Sequence, residues 1–317
     1  MKYLLFIFLL ACSSVVKREP QSELSQGPFP TFEVYSEELQ TEFRIGTYLE
    51  HPQRPFKGCV LYLEGLADSL MNHEPLFKRL SDDGYRTVTF DYMGQGGSGG
   101  TMNDTRITSV SGLHKDQEIG RQARWVWELF SRADFAWKNR SCRGSRKRVI
   151  GWSTGGLAAY KLAFEGWAQE AVLIAPGIHV KAMVGEAATD WRKFYLFQDT
   201  ITFRTLTRNR FRGVHDPHID PVKPKTPAKI PLFAANLVAS SLQSQRWMIS
   251  PKVRGLVFLS GTQDTYVDRD RSFQTLRKNA PHFKIKVHDG SLHEMDNELP
   301  EVAHDVREST ATFFNGH

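Results

Sequence analysis

The sequence predicts an α/β fold, with a mostly parallel central sheet covered by helices on both faces. Two observations predict it. Strand and helix candidates alternate along most of the chain, and several of the strand candidates are short, nearly continuous apolar runs of the kind buried on both faces. The amino-terminal part reads as strands over 32–37 and 42–49, a strand over 59–63, a helix over 71–83, a strand over 85–90 and a helix over 113–132. A buried strand then ends at Val149 and Ile150, a helix opens at Gly155, and a further buried strand covers 171–175. After a long segment between Pro176 and about Ser250 come a strand over 255–260, a helix near 268–279, a strand over 283–288 and a terminal helix. No internal repeat is apparent. At 317 residues the length alone points to about two domains.

The most informative motif is Gly151-Trp152-Ser153-Thr154-Gly155, set between the strand ending at Ile150 and the helix of Gly155 to Tyr160. Glycines two residues before and two after the serine let neighbouring backbone pass close to a strained turn, which lifts the hydroxyl clear of the sheet. This is the setting of a nucleophile elbow. The bland alternative is a glycine-rich turn, since the pentapeptide without its strand and helix is common.

A serine hydroxyl is a poor nucleophile at neutral pH, so Ser153 requires a base, a group orienting that base, and donors for an oxyanion. The run 255–260 leads into Gly261-Thr262-Gln263-Asp264, which makes Asp264 the expected orienting carboxylate. The strand over 283–288 leads into Asp289-Gly290-Ser291-Leu292-His293, which makes His293 the expected base. His282, His288 and His304 are more simply surface or packing histidines, and Asp268 and Asp270 suit the start of a helix. By position, the backbone N–H groups of Leu66 and Thr154 are the expected oxyanion donors. The loop Asp91-Tyr92-Met93-Gly94-Gln95-Gly96-Gly97-Ser98 lacks the Lys-Ser/Thr ending of a phosphate-binding loop and reads as a structural turn.

With these motifs in this order, the chain resembles the α/β-hydrolase superfamily. Within it the likeness is to the monoacylglycerol lipase and lysophospholipase-like branch, which is also grouped with serine aminopeptidases. The resemblance covers about 32–315 and rests on the Gly65 loop, the Asp91 to Ser98 motif, the Ser153 elbow, Gly261-x-x-Asp264 and Gly290-x-x-His293. One departure stands out: Glu64 occupies the position before Gly65 where the family usually carries histidine. The resemblance implies one α/β-hydrolase domain over 31–317 with an inserted cap at about 177–250. It also implies cleavage of carboxylic esters of single-chain lipids, monoacylglycerol or lysophospholipid, through an acyl-enzyme and without a cofactor. A peptidase using the same triad and a non-catalytic lipid-binding envelope protein are the alternatives. The topology implied by the resemblance makes Cys59 and Cys142 neighbours; a disulfide and two separate thiols are both open.

The first residues indicate a destination. Lys2, the apolar run from Leu4 to Leu10, and Ala11-Cys12 look like a bacterial lipoprotein signal over 1–11 with Cys12 as the lipidated residue. A polar tether over 12–30 follows. By the same resemblance, Ser13 favours an outer-membrane anchor facing the periplasm, with ordinary secretion as the alternative. The cap segment holds eleven Lys and Arg against five Asp and Glu, an excess equal to the +6 of the whole chain. Interleaved with aromatics such as Trp191 and Phe194, that charge suits either an acyl pocket facing an anionic membrane surface or a solvated basic face. No nucleic-acid motif accompanies it. No metal site is indicated either: His215 and His218 sit in a proline-rich loop that surface polarity explains.

Overall fold

The computed structural model describes residues 29–66, 68–109, 117–132, 141–181 and 231–316. The signal, Cys12 and most of the predicted cap lie outside the described residues. The chain runs through β1 (Thr31–Ser36), β2 (Thr41–Tyr48), β3 (Gly58–Leu63), α1 (Glu74–Asp82) and β4 (Tyr85–Phe90). A two-strand ribbon of β5 (Thr105–Arg106) and β6 (Gln117–Glu118) precedes α2 (Ile119–Ser131), β7 (Arg148–Trp152), α3 (Thr154–Phe164) and β8 (Glu170–Ile174). The remainder is α4 (Pro231–Ser244), β9 (Arg254–Leu259), α5 (Arg269–Asn279), β10 (Lys284–Val287) and α6 (Pro300–Asn315).

Eight strands form one sheet in the order β1-β2-β4-β3-β7-β8-β9-β10. The β1/β2 and β2/β4 pairs are antiparallel and every other pair is parallel, as the sequence predicts. Period-two alternation explains the burial of the central strands on both sides. Leu61, Leu63, Val149, Leu173 and Val257 point into a core closed by Phe130 of α2, Leu157 of α3, Phe233 of α4 and Leu276 of α5. Their neighbours Val60, Tyr62, Ile150, Val172 and Phe258 point into a second core closed by Leu76 and Phe77 of α1 and Val306 and Phe314 of α6. Each such side chain contributes about 1.5–3 kcal/mol of burial, and truncating one to alanine costs about 2–5 kcal/mol.

Most expected elements fall within a few residues of their observed limits. Two readings need correction. The helix predicted from 113 begins only at Ile119, because Gln117 and Glu118 pair with Thr105 and Arg106 instead. Phe29, placed by the sequence in a tether reaching 30, is buried with its ring edge-on to Tyr48 and Phe77.

The parallel β3/β7 pairing brings the start of β3 near the loop before β7, and Cys59 forms a disulfide with Cys142 at a Cα separation of 5.5 Å. The bridge closes a sequence separation of 83 residues. In the chain-entropy account such a loop contributes about 4 kcal/mol. Replacing both cysteines with serine is therefore expected to lower the thermal midpoint by about 6 °C, read by calorimetry, with a Cys59–Cys142 peptide pair in non-reduced digests of the wild type.

Candidate active site

All three triad candidates stand on loops that leave the carboxyl ends of parallel strands: Ser153 after β7, Asp264 after β9 and His293 after β10. Ser153 adopts φ 54° and ψ −113°, a conformation that L-residues rarely hold. The turn is pinned from outside. Ser153 N–H donates to the Ile174 carbonyl at 2.9 Å, and its own carbonyl accepts from Gly177 at 2.9 Å and Leu157 at 3.0 Å. The flanking glycines are needed for close approach: a Cβ on Gly151 would run into the Gly155 carbonyl, and one on Gly155 into the Leu63 and Glu64 carbonyls.

His293 Nε2 lies 2.7 Å from Ser153 Oγ, and Nδ1 lies 2.8 Å from Asp264 Oδ2. The structure thus brings the three predicted residues together in hydrogen-bonding order. Asp264 is buried and satisfied on every side. Oδ1 accepts from the Tyr266 and Val267 amides at 2.7 and 3.1 Å, while Oδ2 also accepts from the Ser260 hydroxyl. Burial alone would raise its pKa, but the facing His293 and these donors hold it below the usual carboxylate value. Trp152 fastens His293 from behind, its indole N–H donating to the His293 carbonyl at 2.9 Å, and Tyr266 stacks on the imidazole at 4.6 Å between centroids.

The rejected histidines are engaged elsewhere. His288 faces Asp305 at 3.1 Å, His282 meets the Val253 carbonyl at 2.9 Å, and His304 is exposed on α6. Asp268 caps α5 by accepting from the Arg271 amide at 3.1 Å. Of the two expected oxyanion donors, Thr154 opens α3, where first-turn amides lack intrahelical acceptors, and Leu66 lies on the loop after β3.

The Asp91 to Ser98 turn braces that loop. Asp91 accepts from the Leu70 and Gly97 amides at 3.1 and 2.7 Å, with Gly96 at φ +57° packed directly on its carboxylate. Glu64, in the position where histidine was expected, is buried. One of its oxygens accepts from the Tyr92 amide at 3.3 Å and from Gln95 at 2.6 Å, and Gln95 also donates to the Gly65 carbonyl at 2.8 Å. Burial, with Asp91 and Asp68 nearby, raises the Glu64 carboxyl well above its ordinary pKa.

Residues 54–300 match the family model described as serine aminopeptidase, S33. The chain belongs to this family. No curated protein has a significantly similar sequence. Among solved structures, the α/β-hydrolase shares its fold with a soluble variant of monoglyceride lipase from Saccharomyces cerevisiae in complex with a substrate analogue. That likeness has 13% identity, covers 94% of this chain and 98% of that one, and has a TM-score of 0.64. A highly thermostable carboxyl esterase from Bacillus coagulans in complex with glycerol gives 13% identity, coverage of 91% and 98%, and a TM-score of 0.64. Monoacylglycerol lipase from Paleococcus ferrophilus gives 14% identity, coverage of 86% and 98%, and a TM-score of 0.57.

Sequence reasoning missed a second polar cluster in this α/β-hydrolase, behind the triad. His73, at the start of α1, has Nε2 2.6 Å from Asp68 Oδ2 and Nδ1 2.6 Å from Asp296 Oδ2. Glu294, next to His293, is buried beside them and accepts from Asn297 at 2.9 Å. Nothing in the sequence pairs His73 with Asp296, 223 residues away. The adjacency of Glu294 to His293 was the one visible signal.

Burial, reinforced by Asp68, pushes the Glu294 carboxyl up to about 7. An unfolded glutamic acid ionises near 4.3, so the unfolded chain releases this proton first and the folded state loses relative stability as pH rises from about 4.5 to about 7. Glu294→Gln, whose carbonyl still accepts from Asn297, is expected to raise the thermal midpoint relative to wild type more at pH 8 than at pH 5. Thermal melts of the two proteins across that range measure the difference.

Proposed function

We propose that this α/β-hydrolase cleaves carboxylic esters of single-chain lipids, monoacylglycerol or lysophospholipid. The observation that carries a hydrolytic reading is the Ser153–His293–Asp264 chain of hydrogen bonds on a strained elbow. His293 takes the proton of Ser153 as Oγ adds to the ester carbonyl, and Asp264 stabilises the resulting imidazolium. Backbone N–H groups of Leu66 and Thr154 hold the oxyanion. Collapse of the tetrahedral intermediate expels the alcohol, which receives the proton from His293, and leaves an acyl-Ser153 ester. Water, deprotonated by His293, then adds to that ester and releases the fatty acid and the regenerated serine.

The single-chain lipid preference is supported by the fold shared with lipases and an esterase and by the basic, aromatic composition of the cap segment. The Cys12 signal supports work at a lipid-anchored position in the bacterial envelope, facing the periplasm. The family description favours a second reading, an aminopeptidase, which requires carboxylates for a substrate amine. Asp68, Glu294 and Asp296 are near the triad, but they are buried around His73 and Asn297 rather than presented to a ligand.

The test is product release from monoacylglycerol, lysophosphatidylglycerol, a diacyl phospholipid and an aminoacyl amide, each with wild type and Ser153→Ala. Fatty-acid release from the single-chain esters is expected, reduced by about four orders of magnitude or more in the variant. Turnover of the amide alone would replace the lipid reading with the peptidase one, and an unaffected variant would remove Ser153 as nucleophile.

A further inference from the structure

We propose that His73 is a positioning residue for hydrolysis: clamped as an imidazolium between Asp68 and Asp296, it holds the loop carrying Leu66 in register with the loop carrying His293. The inference rests on the hydrolase reading above. These two loops leave different strands, β3 and β10, and oxyanion donor and base must be mutually placed to within about 0.5 Å for efficient chemistry. His73 is fully buried, and each ring nitrogen faces a carboxylate oxygen at 2.6 Å. A carboxylate accepts only, so two such contacts call for a proton on both nitrogens. Burial by itself would discharge the ring, but Asp296 and Asp68 outweigh it and raise its pKa well above the ordinary histidine value.

The clamp is contiguous with the triad. Asn72 donates to Asp68 at 2.5 Å, and Asn297 donates to the Asn72 carbonyl at 2.9 Å, so the same two loops are laced a second time. Trp152 lies between the two imidazoles, with ring centroids 5.5 Å from both His73 and His293, while its six-membered ring fills the space beside Gly65. Tyr62 packs on the other side of His73 at 4.7 Å, and Arg307 donates to the Asp296 carbonyl at 2.5 Å. A shift of His73 is therefore transmitted by packing to the oxyanion loop and to the backbone of the base.

The charge arrangement distinguishes positioning from bulk stability. The charged and titratable groups facing His293 are Asp264, Tyr266, its neighbour Glu294, and Lys181 through the Asp264 carbonyl. Of these, Glu294 also feels the clamp, because Asp68 and Asp296 raise its pKa and His73 lowers it. His73→Gln removes a positive charge and leaves two buried carboxylates uncompensated, which favours a protonated base. Asp296→Asn removes the partner that does most to keep the ring charged, so it releases the same clamp by losing the carboxylate and the imidazolium together.

The experiment follows the rate at which a fluorophosphonate labels Ser153 in the full chain as a function of pH. Wild type must label and Ser153→Ala must not; failure there removes the hydrolase reading itself, before His73 is at issue. Given labelling, His73→Gln is expected to slow it about tenfold at pH 7 and to move the acid limb of the profile up, and Asp296→Asn, which releases the same clamp, to slow it as well. Folded variants that label like wild type, or a His73→Gln acid limb that stays in place, overturn the proposal. Should His73→Gln fail to fold, the Asp296→Asn labelling rate and ¹⁵N NMR of the wild-type imidazoles decide. Both His73 ring nitrogens protonated at pH 7.5 is the expected spectrum, and one unprotonated nitrogen overturns the clamp.

Discussion

The backbone of Ser153 is forced into a positive φ and held there by contacts that come from outside the turn, and the geometry of the rest of the site depends on that constraint. Such a conformation costs about 1–3 kcal/mol, and the three backbone hydrogen bonds to Ile174, Leu157 and Gly177 offset it at roughly 1 kcal/mol each. Two of those partners belong to β8 and the segment following it, so the elbow is rigid only because β7 and β8 are paired in parallel over five residues. Sheet register and nucleophile orientation are one constraint seen at two scales. Gly151, Gly155 and Gly156 then allow the helix to start directly beneath the serine, with no room left for a side chain.

From that fixed point the site is assembled by loops that cannot position themselves. The loop after β9 is tied to the loop after β10 by the Gly261 amide, which donates to the Ser291 carbonyl at 2.9 Å, and Gly261 fits against Asp289 because it lacks a Cβ. The loop after β3 is tied to the Asp91 turn by Gln95, which bridges Glu64 and Gly65. Glu64 thus keeps this loop braced through a buried acid. The cost is a carboxyl held away from water with Asp91 and Asp68 close by, which explains why its proton is retained so strongly.

Much of this was legible in the chain. The parallel strands announce themselves as apolar runs, and in this fold each chemical group follows a strand, so Ser153, Asp264 and His293 could be named from their place after 149–150, 255–260 and 283–288. The order of motifs also identified the family that residues 54–300 match. The helix start was misread because Gln117 and Glu118 satisfy their backbone against Thr105 and Arg106, a pairing of two residues that no periodicity reveals. Phe29 was misplaced in the tether because its polar, proline-flanked surroundings conceal the hydrophobic slot between Tyr48 and Phe77 that takes it.

What the sequence by itself determined, then, is the alternation of strand and helix, the strained serine between glycines, and the placing of Asp264 and His293 after their strands. These are local signals, since strand burial has a period of two and a turn needs its glycines at fixed offsets. Only the tertiary structure decided that the neighbouring Cys59 and Cys142 are bonded, that Trp152 reaches the carbonyl of His293, and that His73 lies between Asp68 and Asp296. Those contacts join segments as far as 223 residues apart, and a buried charge is stabilised by partners in space that carry no mark in the neighbouring sequence.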